Sequence, residues 1–180
     1  MESLINSAKN RKRPNEDRDN KIGYANIQIL GCGGAGNNTV DRLMKIGIKG
    51  ATCIAINTDR QHLDMVESQV KILIGKRLTK GLGAGGDPEI GRAAAEESRE
   101  ELTQLLKGSD LVFITCGEGG GTGTGSAPIV AEIAKMEGSI VVGVVTLPFN
   151  TEIGRIEKAK QGLNLLKNHV DTLVVIDNNR

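Results

Sequence analysis

The sequence predicts an α/β fold, in which a doubly wound parallel β-sheet carries helices on both faces in the Rossmann-like manner. Three observations support this fold class. Short runs of apolar and β-branched residues alternate along the chain with segments of helical periodicity. These runs are apolar on both faces, as buried parallel strands are. Glycine clusters lie between a run and the helical segment that follows it, which is where parallel sheets bind their ligands.

The composition excludes several classes of protein. The chain has 180 residues, a net charge of +1 and 2% aromatic residues, so no nucleic-acid interface is expected. No apolar run approaches the roughly 20 residues of a membrane span, so no direct membrane insertion is expected. The three cysteines match neither a disulfide framework nor a zinc site. We therefore expect a cytoplasmic protein.

Two regions differ in composition. Residues 1–22 are polar and charged, which predicts a disordered arm. Residues 23–180 form the folded domain. Its strands are predicted at Ile27–Leu30, Thr52–Ile56, Val70–Ile74, Leu111–Thr115, Ile140–Leu147 and Leu173–Ile176. Its helices are predicted at Asn37–Ile46, Pro88–Lys107, Thr124–Glu137 and Ile153–Leu166. Capping residues support the long second helix, with Asp87 before it, Pro88 at its first position and Gly108 after it.

The first glycine cluster, residues 31–38, follows the first strand and opens a helix. Its glycines at 31, 33 and 36 satisfy the G-x-G-x-x-G pattern, and Asp59 lies where a dinucleotide site would place its ribose-binding acid. The free N–H groups of a helix N-terminus also suit a phosphate. This cluster alone leaves open a dinucleotide site, another phosphate site, or a tight turn without a ligand.

A second glycine cluster lies at 81–86. The third, between 117 and 125, has six glycines in nine positions and ends in a helix. That number exceeds the needs of a turn and predicts a concave row of N–H donors able to wrap a di- or triphosphate. The sequence has no G-x-x-x-x-G-K-[ST] motif, so the phosphates are bound without the lysine of a P-loop.

The segment Gly119–Gly125 reads GGGTGTG and resembles the signature of the tubulin/FtsZ superfamily. Further segments occur in the same order as in that family: Gly34–Asn38, Asn57–Asp59, Leu78–Gly85 and Thr146–Phe149. The stretch from Ile27 to Arg180 is similar to the nucleotide-binding half of FtsZ, the prokaryotic cell-division homologue of tubulin. The resemblance implies a Rossmann-like GTPase domain that binds GTP or GDP.

The resemblance also implies roles for single residues. Those near the phosphates and the nucleoside would be Gly33, Gly34, Ala35, Gly36, Asn37 and Asn38, with Asn38 near guanine. The β- and γ-phosphates would lie on Gly121, Thr122 and Gly123, and Gly120 would also belong to the nucleotide site. The γ-phosphate would be sensed by Thr79–Gly85, including Thr79, Gly83, Ala84 and Gly85. Glu152 and Arg155 would contact the ribose, and Asn178 would read the base. Asn57 and Asp59 would position Mg²⁺ through water.

Three departures from the family pattern bear on function. Glu118 stands where the family usually has an apolar residue, and a carboxylate beside phosphates is expected to point to solvent or to a cation. Glu152 and Arg155 are one residue closer together than usual. The chain ends at Arg180, where the family's central helix would begin, so we expect a domain truncated before that helix and the C-terminal domain.

The family's hydrolytic acidic loop would lie in the missing part and would enter the site of the next subunit. We therefore expect no catalytic residue in this chain, and hydrolysis only within a head-to-tail homopolymer that works with division-ring proteins at mid-cell. The alternative is a nucleotide-binding assembly or capping module without turnover. The third glycine cluster disfavours a further alternative, an NAD-binding oxidoreductase.

Three expectations concern packing. Cys32 and Cys116 end strands that are neighbours in the usual strand order, either as buried thiols or as an oxidisable pair near the phosphates. His62 and His169 are expected on the surface. Without the central helix, the sheet near the last strand is expected to be bare and apolar, which predicts low solubility.

Overall fold

The computed structural model describes residues 25–179, so the expected arm at 1–22 lies outside the described residues. The strands are β1 (Ile27–Cys32), β2 (Ala51–Asn57), β3 (Val70–Leu73), β4 (Leu111–Gly117), β5 (Ile140–Leu147) and β6 (Thr172–Asp177). The helices are α1 (Gly33–Ile46), α2 (Arg60–Met65), α3 (Pro88–Glu97), α4 (Arg99–Leu106), α5 (Thr122–Met136) and α6 (Ile153–Lys167). No helix in this part of the chain has the length and apolar character needed to cross a membrane.

The strands form one parallel sheet in the order β3-β2-β1-β4-β5-β6. Strand β1 lies in the middle of the sheet, β2 and β3 follow on one side of it, and β4 to β6 follow on the other side. This switch in strand order is where doubly wound sheets bind ligands, outside the carboxyl ends of the strands. The predicted fold class is therefore confirmed, and the register pairs Cys32 with Cys116 as expected.

The main core lies on the face of the sheet that α3 to α6 cover. Leu30, Ile54 and Ile114 are fully buried in one cluster with Val130 of α5 and Leu166 of α6. Burial of such a side chain contributes about 1.5–3 kcal/mol. This packing fixes α5 on the sheet and so positions the N-terminus of α5 at the carboxyl edge.

The opposite face is covered over β1 by α1, where Val40 packs on Gly31. Toward β6 this face is open, because Val174 and Ile176 are each 46% exposed. The register places Val174 beside Val144 of β5. An apolar hollow of about 400 Å³ continues the open surface and is lined by Ile27, Ile29, Phe113 and Val144, among others. The predicted bare apolar face near the last strand is confirmed.

The single helix predicted at Pro88–Lys107 is wrong, because the chain leaves the helical conformation at Ser98 and forms two helices there. The Oγ of Ser98 accepts a hydrogen bond from the Gly75 N–H (3.1 Å). The Glu97 carboxylate accepts the N–H groups of Arg77 and Leu78 at 2.9 and 3.1 Å. A distant loop therefore binds to this point of the helix and accounts for the break.

Two helices begin earlier than predicted. Helix α1 begins at Gly33 rather than Asn37, and α5 begins at Thr122 rather than Thr124. The glycines expected to form loops there partly belong to first helical turns. The short helix α2 was not predicted, and the Asp59 side chain caps its N-terminus.

Candidate nucleotide-binding site

A cavity of about 550 Å³ opens at the carboxyl edge of the sheet. Its volume lies in the range of small-molecule sites. The structure brings together here most of the site residues predicted from the sequence. These are Gly34, Ala35, Asn57, Asp59, Gly83, Ala84, Gly85, Gly120, Gly121, Thr122, Gly123, Glu152, Arg155 and Asn178.

Residues 118–121, which we call the glycine loop, connect β4 to α5. Gly119 has a φ of +91°, and its N–H donates to the Thr124 Oγ1 at 2.8 Å. Gly121 packs so closely on the chain before α3 that a Cβ there would lie 2.8 Å from the Asp87 nitrogen. Helix α5 has no side-chain cap, so the first N–H groups of the helix remain available to a ligand.

Helix α1 also begins without a side-chain cap, beside the start of α5. Gly33 has a φ of +70°, and a Cβ on it would lie 2.6 Å from the Gly123 nitrogen. Only glycine fits both the conformation and this close approach. The two helix N-termini therefore meet at the cavity, and their dipoles favour an anion there.

Residues 75–87 form a loop along one side of the cavity. Thr79 is buried within the loop, and its hydroxyl donates to the Gly75 carbonyl at 3.0 Å. The Gly83 N–H donates to the Thr58 carbonyl at 3.1 Å, which attaches the loop to the end of β2. The Lys158 ammonium of α6 donates to the Gly86 carbonyl at 2.7 Å. The loop is thus held from two sides.

Asn57 and Asp59 lie at the cavity wall, but local hydrogen bonds already occupy part of each side chain. The Asn57 Oδ1 accepts the N–H groups of Thr58 (2.9 Å) and Asp59 (3.3 Å). The Asp59 Oδ1 accepts the His62 N–H at 3.1 Å. The half-buried His62 ring lines the cavity beside Asn57, so this residue lies at the site as well as at the surface. Among the described residues, no cluster of three His, Cys, Asp or Glu side chains could hold a metal ion.

The segment after β5 supplies the far end of the cavity. Glu152 precedes α6, and the Arg155 guanidinium forms an ion pair with its carboxylate at 2.8 Å. The Asn178 Nδ2 donates to the Leu147 carbonyl at 2.9 Å, which fixes the amide at the rim. The closer spacing of Glu152 and Arg155 therefore leaves both residues at the cavity.

Glu118 does not point to solvent, so that part of the expectation is wrong. The residue is 4% exposed, and its Oε1 accepts a hydrogen bond from the Cys116 thiol at 3.5 Å. Its Oε2 has no hydrogen-bond partner among the described residues and lies against Gly162 of α6. Burial raises the pKa of this carboxyl to about 7, against smaller lowering effects of Cys116 and Thr124.

The two cysteines beneath the cavity are buried free thiols. Burial raises the pKa of the Cys32 thiol to about 12 and that of Cys116 well above its usual range. A buried thiol that stays protonated is a poor nucleophile and is slow to oxidise. The buried-thiol interpretation of this pair is therefore the one that the structure supports.

Comparison with known proteins agrees with this geometry. The sequence profile of the Tubulin/FtsZ family, GTPase domain, matches residues 26–180. The chain belongs to the tubulin/FtsZ family. It is 56% identical over 177 residues to cell division protein FtsZ 2 of Methanocaldococcus jannaschii, covering 98% of this chain and 47% of that protein. The resemblance predicted from the glycine motifs is confirmed, which disfavours the oxidoreductase alternative.

Solved structures of the tubulin/FtsZ family are also similar. An empty FtsZ dimer of M. jannaschii matches with a TM-score of 0.85 and 53% identity, covering 98% of this chain and 48% of that one. CetZ2 of Haloferax volcanii, in a GTPγS-bound protofilament, matches with a TM-score of 0.76 and 27% identity, covering 85% and 49%. The chain thus spans about half the length of the relatives it matches.

Some residues that the tubulin/FtsZ resemblance assigned to the nucleotide lie away from the cavity lining. They are Gly33, Gly36, Asn37, Asn38 and Thr79. Gly33 and Gly36 let backbones pack closely, Asn37 is fully buried, and Asn38 lies on the exposed side of α1.

Two residues that support the cavity, Thr58 and Lys158, were not predicted from the sequence. The Thr58 and Thr122 hydroxyls are 2.6 Å apart and join β2 to the start of α5, whereas Lys158 holds loop 75–87. Thr58 is adjacent to two predicted residues in the sequence, which was the available signal. For Lys158 there was none, because its partner is far away along the chain.

Proposed function

We propose that this chain is the GTP-binding part of a self-assembling GTPase of cell division. The observation that carries the proposal is the convergence of two uncapped helix N-termini and the glycine loop on one cavity. Backbone N–H donors and helix dipoles suit a polyphosphate without a P-loop lysine. Membership of the tubulin/FtsZ family supports a guanine nucleotide as the source of that polyphosphate.

The remaining cavity residues suggest how the nucleotide lies. The phosphates contact the start of α1 and Gly120–Gly123, with loop 75–87 beside the γ-phosphate. The ribose lies near the Glu152–Arg155 ion pair, and the base lies near Asn178. Because the Asn178 Nδ2 donates to Leu147, its Oδ1 is left to accept from the base. The Watson–Crick edge of guanine offers N–H donors to this Oδ1, whereas the ring nitrogen of adenine at the same place is an acceptor. The Asn178 amide therefore selects guanine.

A magnesium ion fits this site only with help from the nucleotide. Mg²⁺ in phosphate sites keeps several waters and binds one or two carboxylates together with phosphate oxygens. Asp59 is the suitable carboxylate, because its Oδ2 carries no hydrogen bond within the described residues. The Asn57 amide oxygen already accepts two N–H groups, so Asn57 acts through its support of the turn that precedes α2.

We propose that hydrolysis depends on a second subunit. The carboxylates that line the cavity have other roles: Asp59 caps α2, Glu118 is buried, and Glu152 is paired with Arg155. Head-to-tail assembly brings in the water-positioning carboxylates of the next copy, and the polymer acts with other proteins at the division ring. The protofilament described for CetZ2 supports such an assembly.

The nucleotide is tested by calorimetric titration of the natural gene product with GTP, GDP and ATP. We expect GTP and GDP to bind with a stoichiometry near one per chain, and ATP to bind at least about tenfold more weakly. Equal affinity for GTP and ATP would overturn the guanine assignment. Preferential binding of NAD would overturn the family-based function altogether.

Assembly-dependent turnover is tested by measuring phosphate release against protein concentration. We expect the specific rate to rise with concentration, because each site is completed by a neighbour. GTP binding with no release at any concentration would favour the capping-module alternative instead. A fluorescent fusion that fails to gather at mid-cell would contradict the division-ring role.

A further inference from the structure

Glu118 is the one charged side chain between residues 117 and 125, and the proposed binding of the nucleotide does not use it. It lies directly before the glycines that face the cavity, yet its carboxyl turns inward beneath α6. The fit is tight, because a Cβ on Gly162 would collide with both Glu118 and Thr124. A carboxylate buried in this way has lost hydration without gaining a positive partner.

Thr124 of α5 lies between this carboxyl and the loop backbone, since its methyl group and the Glu118 Oε2 both lie against Gly162. The Gly119 N–H donates to the Thr124 Oγ1 at 2.8 Å, so the hydroxyl proton of Thr124 is directed elsewhere. The Thr124 side chain packs beside the Glu118 carboxyl, and its hydroxyl lowers the pKa of that carboxyl against the larger effect of burial. The protonation state of Glu118 therefore bears on Thr124 and, through it, on the Gly119 N–H of the glycine loop.

The groups packed around Glu118 supply no compensating charge. On β4 and β1 the nearest ionisable groups are the thiols of Cys116 and Cys32, which burial keeps protonated. On α6 the Arg155 guanidinium is paired with Glu152, and the Lys158 ammonium is bonded to the Gly86 carbonyl. Helix α5 contributes only hydroxyls near this carboxyl, and β5 contributes the Thr146 carbonyl, which accepts the Glu118 N–H at 2.9 Å.

We propose that Glu118 is a positioning residue of the glycine loop and that its carboxyl takes up one proton when a nucleoside triphosphate binds. The inference rests on the proposed function, because the phosphates supply the negative charge that drives the uptake. Ionised Glu118 repels the incoming anion across a few residues of backbone, and because this carboxyl is only 4% exposed the repulsion is weakly screened by water. Protonated Glu118 removes that repulsion and leaves the loop packed as it is.

The sign of the pH effect follows from burial. The carboxyl of the free protein has a pKa of about 7, so it is neutral well below that pH and charged above it. Affinity for GTP is therefore highest on the acidic side and falls as the pH rises through neutrality. Above the pKa of Glu118 the affinity falls by at most about tenfold per pH unit. GDP carries less charge, so its affinity falls less.

The test measures the dissociation constants of GTP and GDP for the natural gene product between about pH 6 and pH 8, together with the variants E118Q and E157Q. The amide that E118Q introduces keeps the shape of the side chain and cannot ionise. Glu157 is an exposed residue of α6, so E157Q removes one negative charge away from the loop. The nucleotide's own titration is common to all three proteins and cancels in the comparison.

We expect the GTP affinity of the wild type and of E157Q to fall about fivefold or more relative to E118Q over this interval. Identical pH profiles for the wild type and E118Q would overturn the inference while leaving GTP binding intact. Absence of GTP binding at every pH would instead overturn the proposed function, and this inference with it.

A second readout covers the case in which E118Q does not fold. The ¹³C resonance of the Glu118 carboxyl is titrated in the wild type with and without GTP. We expect its pKa to rise by at least about one pH unit when GTP is bound, which corresponds to a total change in GTP affinity of about tenfold or more. A pKa that does not change on binding would overturn the inference.

Discussion

Gly120 lies in the cavity wall with open space in front of it, because a Cβ there would meet no atom closer than 4.0 Å. A methyl group at this position is compatible with the fold but prevents the close approach of a phosphate to the backbone. We expect Gly120→Ala to weaken GTP binding by at least about tenfold, while the free energy of unfolding changes by less than about 0.5 kcal/mol. Titration calorimetry and urea unfolding measure the two quantities.

Gly154→Ala is the matched control for this substitution. A Cβ on Gly154 also meets no atom within 4 Å, and the residue lies on the exposed side of α6. We expect its GTP affinity to equal that of the wild type. Equal losses at both positions, or no loss at Gly120, would contradict the assignment of the phosphates to the glycine loop.

The buried carboxyl of Glu118 also makes stability depend on pH in the free protein. Its pKa is raised from 4.5 to about 7 on folding, so the folded state binds more protons in this interval. The contribution is fully present below the unfolded pKa and is lost as the pH rises through the folded one, by up to about 3 kcal/mol.

The variant Glu118→Gln isolates this contribution from that of other carboxylates. We expect its free energy of unfolding to exceed that of the wild type at about pH 8 and to lose the advantage at about pH 4.5. Urea unfolding at a series of pH values measures the difference. A difference independent of pH would show that Glu118 does not titrate on folding.

At the scale of the helices, α3 and α5 cross backbone to backbone. A Cβ on Gly125 of α5 would collide with the Pro88 carbonyl oxygen and would lie 2.6 Å from the Arg92 nitrogen. A Cβ on Gly91 of α3 would collide with the Gly121 carbonyl oxygen. Gly125 therefore serves helix packing, although the sequence pattern placed it in a row of phosphate-binding donors.

We expect Gly125→Ala to lower the free energy of unfolding by about 3 kcal/mol or more, because the colliding atoms are backbone and cannot rotate away. Urea unfolding followed by circular dichroism measures the loss, with Gly154→Ala as the control that adds the same methyl to an open position. A Gly125→Ala protein as stable as the wild type would show that the two helices can separate without cost.

The strands and their order were predictable because both depend on local signals and on a general rule. Runs such as the β5 sequence IVVGVVTL are apolar and β-branched, and parallel sheets with crossover helices follow few topologies. The break at Ser98 was not predictable, because it depends on the N–H of Gly75, a residue distant along the chain. Helix α2 was missed because its six residues bury only Leu63 and show no helical period.

In the candidate site, too, features that depend on local sequence were predictable and features that depend on packing were not. Glycines that follow a strand indicated the carboxyl edge, and the family resemblance supplied the far end of the cavity at Glu152 and Asn178. The resemblance could not distinguish residues facing the cavity from those packed behind it. Thr79 is the example, since its hydroxyl binds the loop's own carbonyl groups.

At the scale of the molecule, the open face of the sheet predicts that this chain associates when it is isolated. Val174 and Ile176 lie on one side of the edge strand β6 and continue the apolar surface of β5. Exposed apolar patches of this kind lead to association. We expect the 180-residue chain to bind a hydrophobic dye and to associate as its concentration rises.

The double substitution Val174→Lys and Ile176→Lys should at least halve the dye fluorescence and shift light scattering toward the monomer, because charged side chains protect an exposed edge. Thr172→Lys is the matched control, since it adds charge at a polar position of the same strand face. Dye binding unchanged by the double substitution would mean that association arises elsewhere.

The proposed phosphate contacts of the cavity are largely main-chain groups, and this has a genetic consequence. An alanine scan that only truncates side chains would leave Gly120 and Gly121 of the cavity wall untested, because glycine has no side chain to remove. Random mutation acts in the opposite way. Every missense change of a glycine codon adds at least a Cβ, so these few codons present a large target for loss of function even though they encode no functional group.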